Sequence, residues 1–149
     1  MEKLENKITI ILNNYKENER LIKELLINKN NEVIYKSNID TKIFILLTKL
    51  GMPSNLHGHR YIVEAIKLCF DGNENYLHLS ANLYPTISKI FNVKDYMVEK
   101  SIRDAITITW NRGNYDYQRK LFGYTVDREK GKPTNGEFIA QIVNYLNTI

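Results

Sequence analysis

Between Asp95 and Arg112 the sequence DYMVEKSIRDAITITWNR carries hydrogen-bonding side chains at helical spacing. On a 3.6-residue period Tyr96, Lys100, Arg103, Asp104 and Thr107 share one face, while Val98, Ile102, Ala105, Ile106 and Thr109 share the opposite one. Lysine and arginine reach guanine edges or phosphates, and tyrosine and threonine bond phosphates or touch thymine methyls. The chemistry suited to this face is recognition of a polyanion. A helix packed on its own domain shows the same two-sided pattern, so the pattern alone leaves both readings open.

Other reactive residue types are sparse. His57 and His59 form an H-x-H pair, with Cys69 and His78 elsewhere in the chain. A metal site needs convergent ligands with supporting carboxylates, and this set does not suggest one. Cys69 lies in the apolar string IKLCF and reads as core; a single cysteine has no internal disulfide partner. The chain contains no phosphate-binding P-loop, glycine-rich dinucleotide turn or nucleophile elbow. A non-enzymatic protein with no metal or cofactor is expected.

The polar face needs a folded scaffold. A chain of 149 residues corresponds to one domain, or one domain with an arm. With 43% apolar and 26% charged residues it reads as globular. No apolar run approaches the ~20 residues that cross a bilayer, and the N-terminal MEKLENK precedes only a short apolar ITIIL. A cytoplasmic location and no membrane partner are expected. Residues 1–40 hold seven basic and seven acidic side chains, whereas 41–149 hold fourteen and ten, so the whole net charge of +4 lies in the second block. That balance is compatible with a polyanionic partner without requiring one.

In the first block Leu4, Ile8, Ile11, Tyr15, Asn18, Ile22 and Leu25 alternate at spacings of four and three, a heptad seam with one polar interruption. It reads either as a dimerising arm or as an amphipathic helix packed on its own domain. The polar stretch NKNNEVIYKSNID then reads as a linker, giving an arm at 1–40 and a domain at 41–149. The second block predicts six helices and an all-α fold. TKIFILLTKL ends at Gly51 with Pro53 beyond, and HGHRYIVEAIKLCF brings Tyr61, Ala65, Leu68 and Cys69 to one face. A third helix starts around Pro85, the fourth ends at Gly113, and YDYQRKLF stops at Gly123. Thr134-Asn135-Gly136-Glu137 has the form of a capping box before FIAQIVNYL. Strand signals are confined to EVIY and YTV. Helices three and four, joined by a polar turn at Asn92 to Asp95, have the layout of a helix-turn-helix, with Ile87, Ile90, Phe91 and Val93 expected to meet Val98, Ile102 and Ala105.

The stretches GMPSNLHGHRYIVEAI, LYPTISKIFNV, VEKSIRDAI, TWNRGN, LFGYTV and KPTNGEFIA occur in the order in which similar motifs occur in one family. From about Thr41 to the C-terminus the chain resembles the effector domain of stage-zero sporulation protein A, a sporulation response regulator. The resemblance implies a six-helix DNA-binding domain whose third and fourth helices form the helix-turn-helix. It also implies transcriptional regulation through boxes related to TGTCGAA, often bound as tandem dimers. The recognition helix would run from about Asp95 to Arg112. The implied DNA-contacting set is Lys94, Tyr96, Met97, Glu99, Lys100, Ser101, Arg103, Asp104, Thr107 and Arg112, with Lys132, Thr134 and Asn135 where a loop meets the last helix. The segment 113–126 matches the family's contact with the RNA polymerase sigma factor. Arg119 and Lys120 within it read as phosphate contacts, sigma contacts or a solvated face.

The chain departs from the family pattern in three places. Lys100 stands where the family has arginine, Met97 replaces its first recognition-helix arginine, and Asp104 replaces a histidine. A missing bidentate bond to a base edge removes ~1–3 kcal/mol of discrimination, so retained DNA binding with a shifted site is expected. The family's phosphoacceptor receiver domain needs ~120 residues, and the roughly 40 preceding ones here lack its pattern. Phosphorylation-independent action, with the heptad seam supplying a homodimer, is the corresponding expectation. Two alternatives stay open: a protein-interaction factor that binds a sporulation regulator or RNA polymerase, and a DNA-binding protein for plasmid or phage maintenance. Sedimentation tests the seam. The full chain is expected to be dimeric and a chain beginning at Thr41 monomeric, and an unchanged dimer would sink the assignment.

Overall fold

The structure is a computed structural model that describes residues 39–72, 76, 78–123 and 131–149. The heptad seam, both strand signals and all of the linker but its last two residues lie outside the described residues; Ile39 and Asp40 open the first helix. Among the described residues six α-helices follow in order: α1 Ile39–Leu50, α2 His57–Phe70, α3 Tyr84–Phe91, α4 Asp95–Arg112, α5 Tyr115–Phe122 and α6 Asn135–Thr148. The same residues hold no strand, and the fold is all-α. Residues 46–149 form one compact unit, and the first turns of α1 belong to the other unit, residues 1–45.

Local signals set most helix ends. Gly51 closes α1 at φ +87°, where its N–H bonds Thr48 O at 2.9 Å and the next N–H, of Met52, reaches back to Leu47 O at 2.9 Å. Those two bonds satisfy carbonyls that the helix itself leaves open, and they turn Met52 into the core. Asn92 ends α3 in the left-handed region at φ 53°, with Val93 N–H bonding Ser88 O at 2.9 Å. The capping box at α6 is complete: Thr134 Oγ1 accepts from Glu137 N–H, and the Glu137 carboxylate accepts from Thr134 N–H. Asn114 caps α5 by accepting from Tyr117 N–H at 3.1 Å.

Helix α4 is the hub of the compact unit, packed against α2, α3 and α6. Its buried residues are Val98, Ile102, Ala105, Ile106 and Thr109, the stripe expected from the sequence. Across the fold, Ile62, Ile66, Leu83, Ile87, Phe138, Ile139 and Ile142 are fully or almost fully buried. Trp110, Phe122 and Phe138 join α4, α5 and α6 through ring centroids 5.0 to 6.0 Å apart. The crossing of α2 and α4 is so close that a Cβ on Gly58 would lie 2.0 Å from Ser101 O and 2.7 Å from the Ala105 Cβ. Only a residue without a side chain fits there.

Two expectations need correction. Ile90 does not join the shared core of the helix-turn-helix; it is 53% exposed. The buried face of α3 runs through Tyr84, Ile87 and Ser88, and position 90 lies roughly 110° around the helix from its centre. Leu68 is half-buried, because the buried stripe of α2 runs through Gly58, Tyr61, Ile62, Ala65, Ile66 and Cys69, one position further round. The third helix starts at Tyr84 with Pro85 in its first turn, as expected, and a π-helical turn at Leu79–Leu83 precedes it. Cys69 is buried as expected, and that burial pushes its thiol up to about 11.

Gly58→Ala is expected to lower the unfolding free energy by about 1–3 kcal/mol, because the Ser101 carbonyl is backbone and cannot swing aside. A denaturant midpoint for the variant equal to that of the parent would contradict the close crossing. His59 is buried, and desolvation lowers its pKa below 6.5. The unfolded chain therefore takes up this proton first, so stability is expected to decline as pH falls through the unfolded value of about 6.5. The decline levels off below the lowered folded value. His59→Gln should flatten that part of a stability-against-pH profile.

Candidate nucleic-acid interface

Helix α4 has 18 residues and a length of ~27 Å. It starts directly after the Asn92 turn, and Lys94 occupies its N-cap in an extended conformation without a side-chain capping bond. Because the stripe from Val98 to Thr109 is consumed by packing, Tyr96, Met97, Lys100, Arg103 and Asp104 are exposed. Lys100 points almost directly away from the buried stripe on helical geometry, and Asp104 lies about 40° from Lys100. Tyr96 is 64% exposed and Met97 42%, so the first turn offers a phenol and a thioether side by side.

The charges on this face are paired within the helix. Glu99 and Arg103 are 3.3 Å apart, and Lys100 and Asp104 are 3.2 Å apart, each pair spanning one turn. These four side chains sum to zero net charge (two basic, two acidic), and all are at least one-third exposed. Such pairs add a few tenths of a kcal/mol to a helix and exchange partners easily, so either cation could pass to an incoming phosphate or base edge. Arg112 is exposed at the far end. Ser101 is half-buried, with its carbonyl against Gly58.

The three sequence candidates beside the last helix come together with α4, and each has work inside the fold. Lys132 Nζ donates to Thr107 Oγ1 at 2.6 Å, and Thr107 in turn donates to Arg103 O at 2.9 Å. Asn135 Nδ2 donates to Glu99 O at 3.1 Å and to the Tyr84 hydroxyl at 3.0 Å. That amide ties the first turn of α6 to both helices of the helix-turn-helix. Burial raises the Tyr84 phenol above its ordinary value, while the Asn135 bond acts the other way. Thr134 serves as the α6 cap. Leu79, Tyr84, Arg103, Lys132, Pro133 and Asn135 help to line an open cleft of about 620 Å³ at this junction.

Several contributors escaped the sequence reading. Gln118 is buried on α5, and its Nε2 donates to Thr109 O at 2.8 Å and to Leu50 O at 3.4 Å, joining the C-terminal ends of α4 and α1. Nothing in the sequence marks it, since a glutamine in YDYQRKLF reads as a surface residue. Arg60 lies over the Phe91 ring, 5.5 Å from its centroid, which brings a cation to the end of α3. Asn111 is exposed on the same side of α4 as Lys100 and Asp104. The spacing 100, 104, 107, 111 could have found it.

The two histidines of the H-x-H pair diverge. They stand two residues apart, about 200° around a helix; His57 is exposed and accepts from Arg60 at 3.2 Å, whereas His59 is buried. Among the described residues no three His, Cys, Asp or Glu side chains gather in a way that could hold a metal ion. No described helix is long and apolar enough to cross a membrane.

An all-α unit with a helix-turn-helix whose second helix shows a polar face to solvent is the arrangement of a DNA-binding domain. Residues 43–146, more than two-thirds of the chain, match the family described as Sporulation initiation factor Spo0A C terminal. The chain belongs to that family of sporulation-related DNA-binding transcription regulators, which is not an enzyme family.

Proposed function

We propose that this protein regulates transcription by inserting α4 into the major groove of a duplex site related to TGTCGAA, with a preference shifted by Met97 and Asp104. The single observation that carries the proposal is the division of α4. Its apolar stripe is wholly engaged with α2, α3 and α6, which leaves Tyr96, Lys100, Arg103 and Asp104 as one accessible polar face. In this reading Lys100 and Arg103 bond base edges or phosphates. Lys94 and Arg112 reach the backbone at the two ends of the helix. Thr107, Lys132, Thr134 and Asn135 hold the helix at its angle, and Ser101 keeps it against α2. Binding needs no phosphorylation of this chain, because the face is formed within the folded unit itself. Two copies act together, and the exposed Tyr115 with Arg119 and Lys120 on α5 belongs to the surface that meets a sigma factor.

A second reading draws on the apolar groups beside this face. Ile90, Met97 and Tyr96 are exposed around the turn, and paired charges bring the net charge of the central four residues to zero. Both features suit a protein partner, such as a sporulation regulator or RNA polymerase, better than a phosphate backbone.

Binding to duplexes that carry a TGTCGAA-type box, against scrambled controls at two salt concentrations, separates the readings. Unphosphorylated protein is expected to prefer the box, with affinity falling steeply as salt rises. Lys100→Ala and Arg103→Ala should each lose about 1–3 kcal/mol where they contact a base, and less with a shallower salt slope where they contact phosphate. Weak, sequence-blind binding, unchanged in both variants, would favour the protein partner.

A further inference from the structure

We propose that Lys100 and Asp104 act as one reading unit for a single G·C base pair, and that Asp104 is a specificity-determining residue. The assignment rests on the reading of α4 as the major-groove helix. In it, Asp104 accepts a hydrogen bond from the cytosine N4 amino group while Lys100 donates to guanine O6 and N7.

The structure gives three reasons. The first is the order of charges along the helix. Glu99 precedes Arg103, the order that complements the helix dipole, whereas Lys100 precedes Asp104, the less favourable order. The Lys100–Asp104 pair is also the more exposed of the two, at 64% and 53%, so the fold gains little from it. Second, the pair sits on the part of α4 turned furthest from the buried stripe, where a groove floor would lie.

The third reason is complementarity. On the major-groove edge of a G·C pair, two adjoining acceptors, guanine N7 and O6, lie next to one donor, cytosine N4–H. An ammonium and a carboxylate held 3.2 Å apart present the matching order of donor and acceptor. Their mutual hydrogen bond can persist on binding, so neither charge is left unpaired when water leaves the groove. An A·T pair offers no two adjoining acceptors for the ammonium, and it adds a thymine methyl. On an A·T pair in the same register the ammonium meets the adenine N6 amino donor and the carboxylate meets thymine O4, so both are repelled. Asp104 thus lowers affinity for wrong sites as well as fixing the right one.

The test uses the full chain. A preferred site is first selected from random DNA, and each of its base pairs is then changed in turn. Affinities are measured for the parent, Asp104→Ala and Asp104→Asn, and circular dichroism checks that the exposed substitutions leave helix content unchanged. The parent is expected to require G·C at one position by roughly 10- to 100-fold. Asp104→Ala should abolish that requirement at that position alone and bind scrambled duplex several-fold more tightly. Asp104→Asn should move the preference there towards adenine, whose N6 and N7 suit an amide. If Asp104→Ala leaves every position as selective as before, or weakens all positions equally, the assignment is overturned while the groove reading of α4 survives. A parent protein that distinguishes none of the duplexes overturns the groove reading and this assignment with it.

Discussion

Helices α2 and α4 nearly touch at Gly58, and the placement of the other helices follows from that approach. With no Cβ there, the Ser101 carbonyl and Ala105 come directly against the α2 backbone. Close approach lets Ile62, Ala65 and Ile66 on one helix and Val98, Ile102 and Ala105 on the other exclude water completely. Once that seam is closed, and α3 and α6 have taken the flanks, α4 has one direction left in which to point polar side chains. The accessible face is a consequence of where the apolar stripe had to go.

Polar fastening finishes what packing begins. The C-terminal ends of α1 and α4 bring the carbonyls of Leu50 and Thr109 together, and the Gln118 amide spans them. Asn114 N–H adds a bond to Leu50 O at 3.0 Å. Asn135 at the start of α6 and Lys132 just before it fasten the middle of α4 through Glu99 O and the Thr107 hydroxyl. Each bond is worth about 1 kcal/mol net, but leaving a buried carbonyl unpaired costs more, so these residues set angles as much as they add stability.

Electrostatics distinguish this family member from a simple cationic clamp. The chain has a net charge of +4, yet the centre of the polar face on α4 is neutral through two intrahelical pairs. The positive balance of the chain therefore lies outside these four side chains. Met97 and Asp104 are both exposed on α4.

Much of the fold was legible in the order of residues: the all-α class, the buried stripe of α4, and the stops at Gly51, Asn92, Gly113 and Gly123. The α6 capping box was legible too and, through the order of its motifs, the family. These are local signals: a cap, a left-handed turn or a 3.6-residue period is settled by residues three or four positions apart. Assembly of the helices was needed to establish that Ile90 faces solvent, that Leu68 lies at the margin, and that Gly58 marks a helix crossing. It likewise assigned Gln118 to carbonyls at Thr109 and Leu50, and Asn135 to Tyr84, partners 68 and 51 residues away in the longer cases. Those facts depend on which helices meet and at what angle. No periodicity encodes that, because many helix pairings can bury the same apolar stripes and only the assembled core chooses among them.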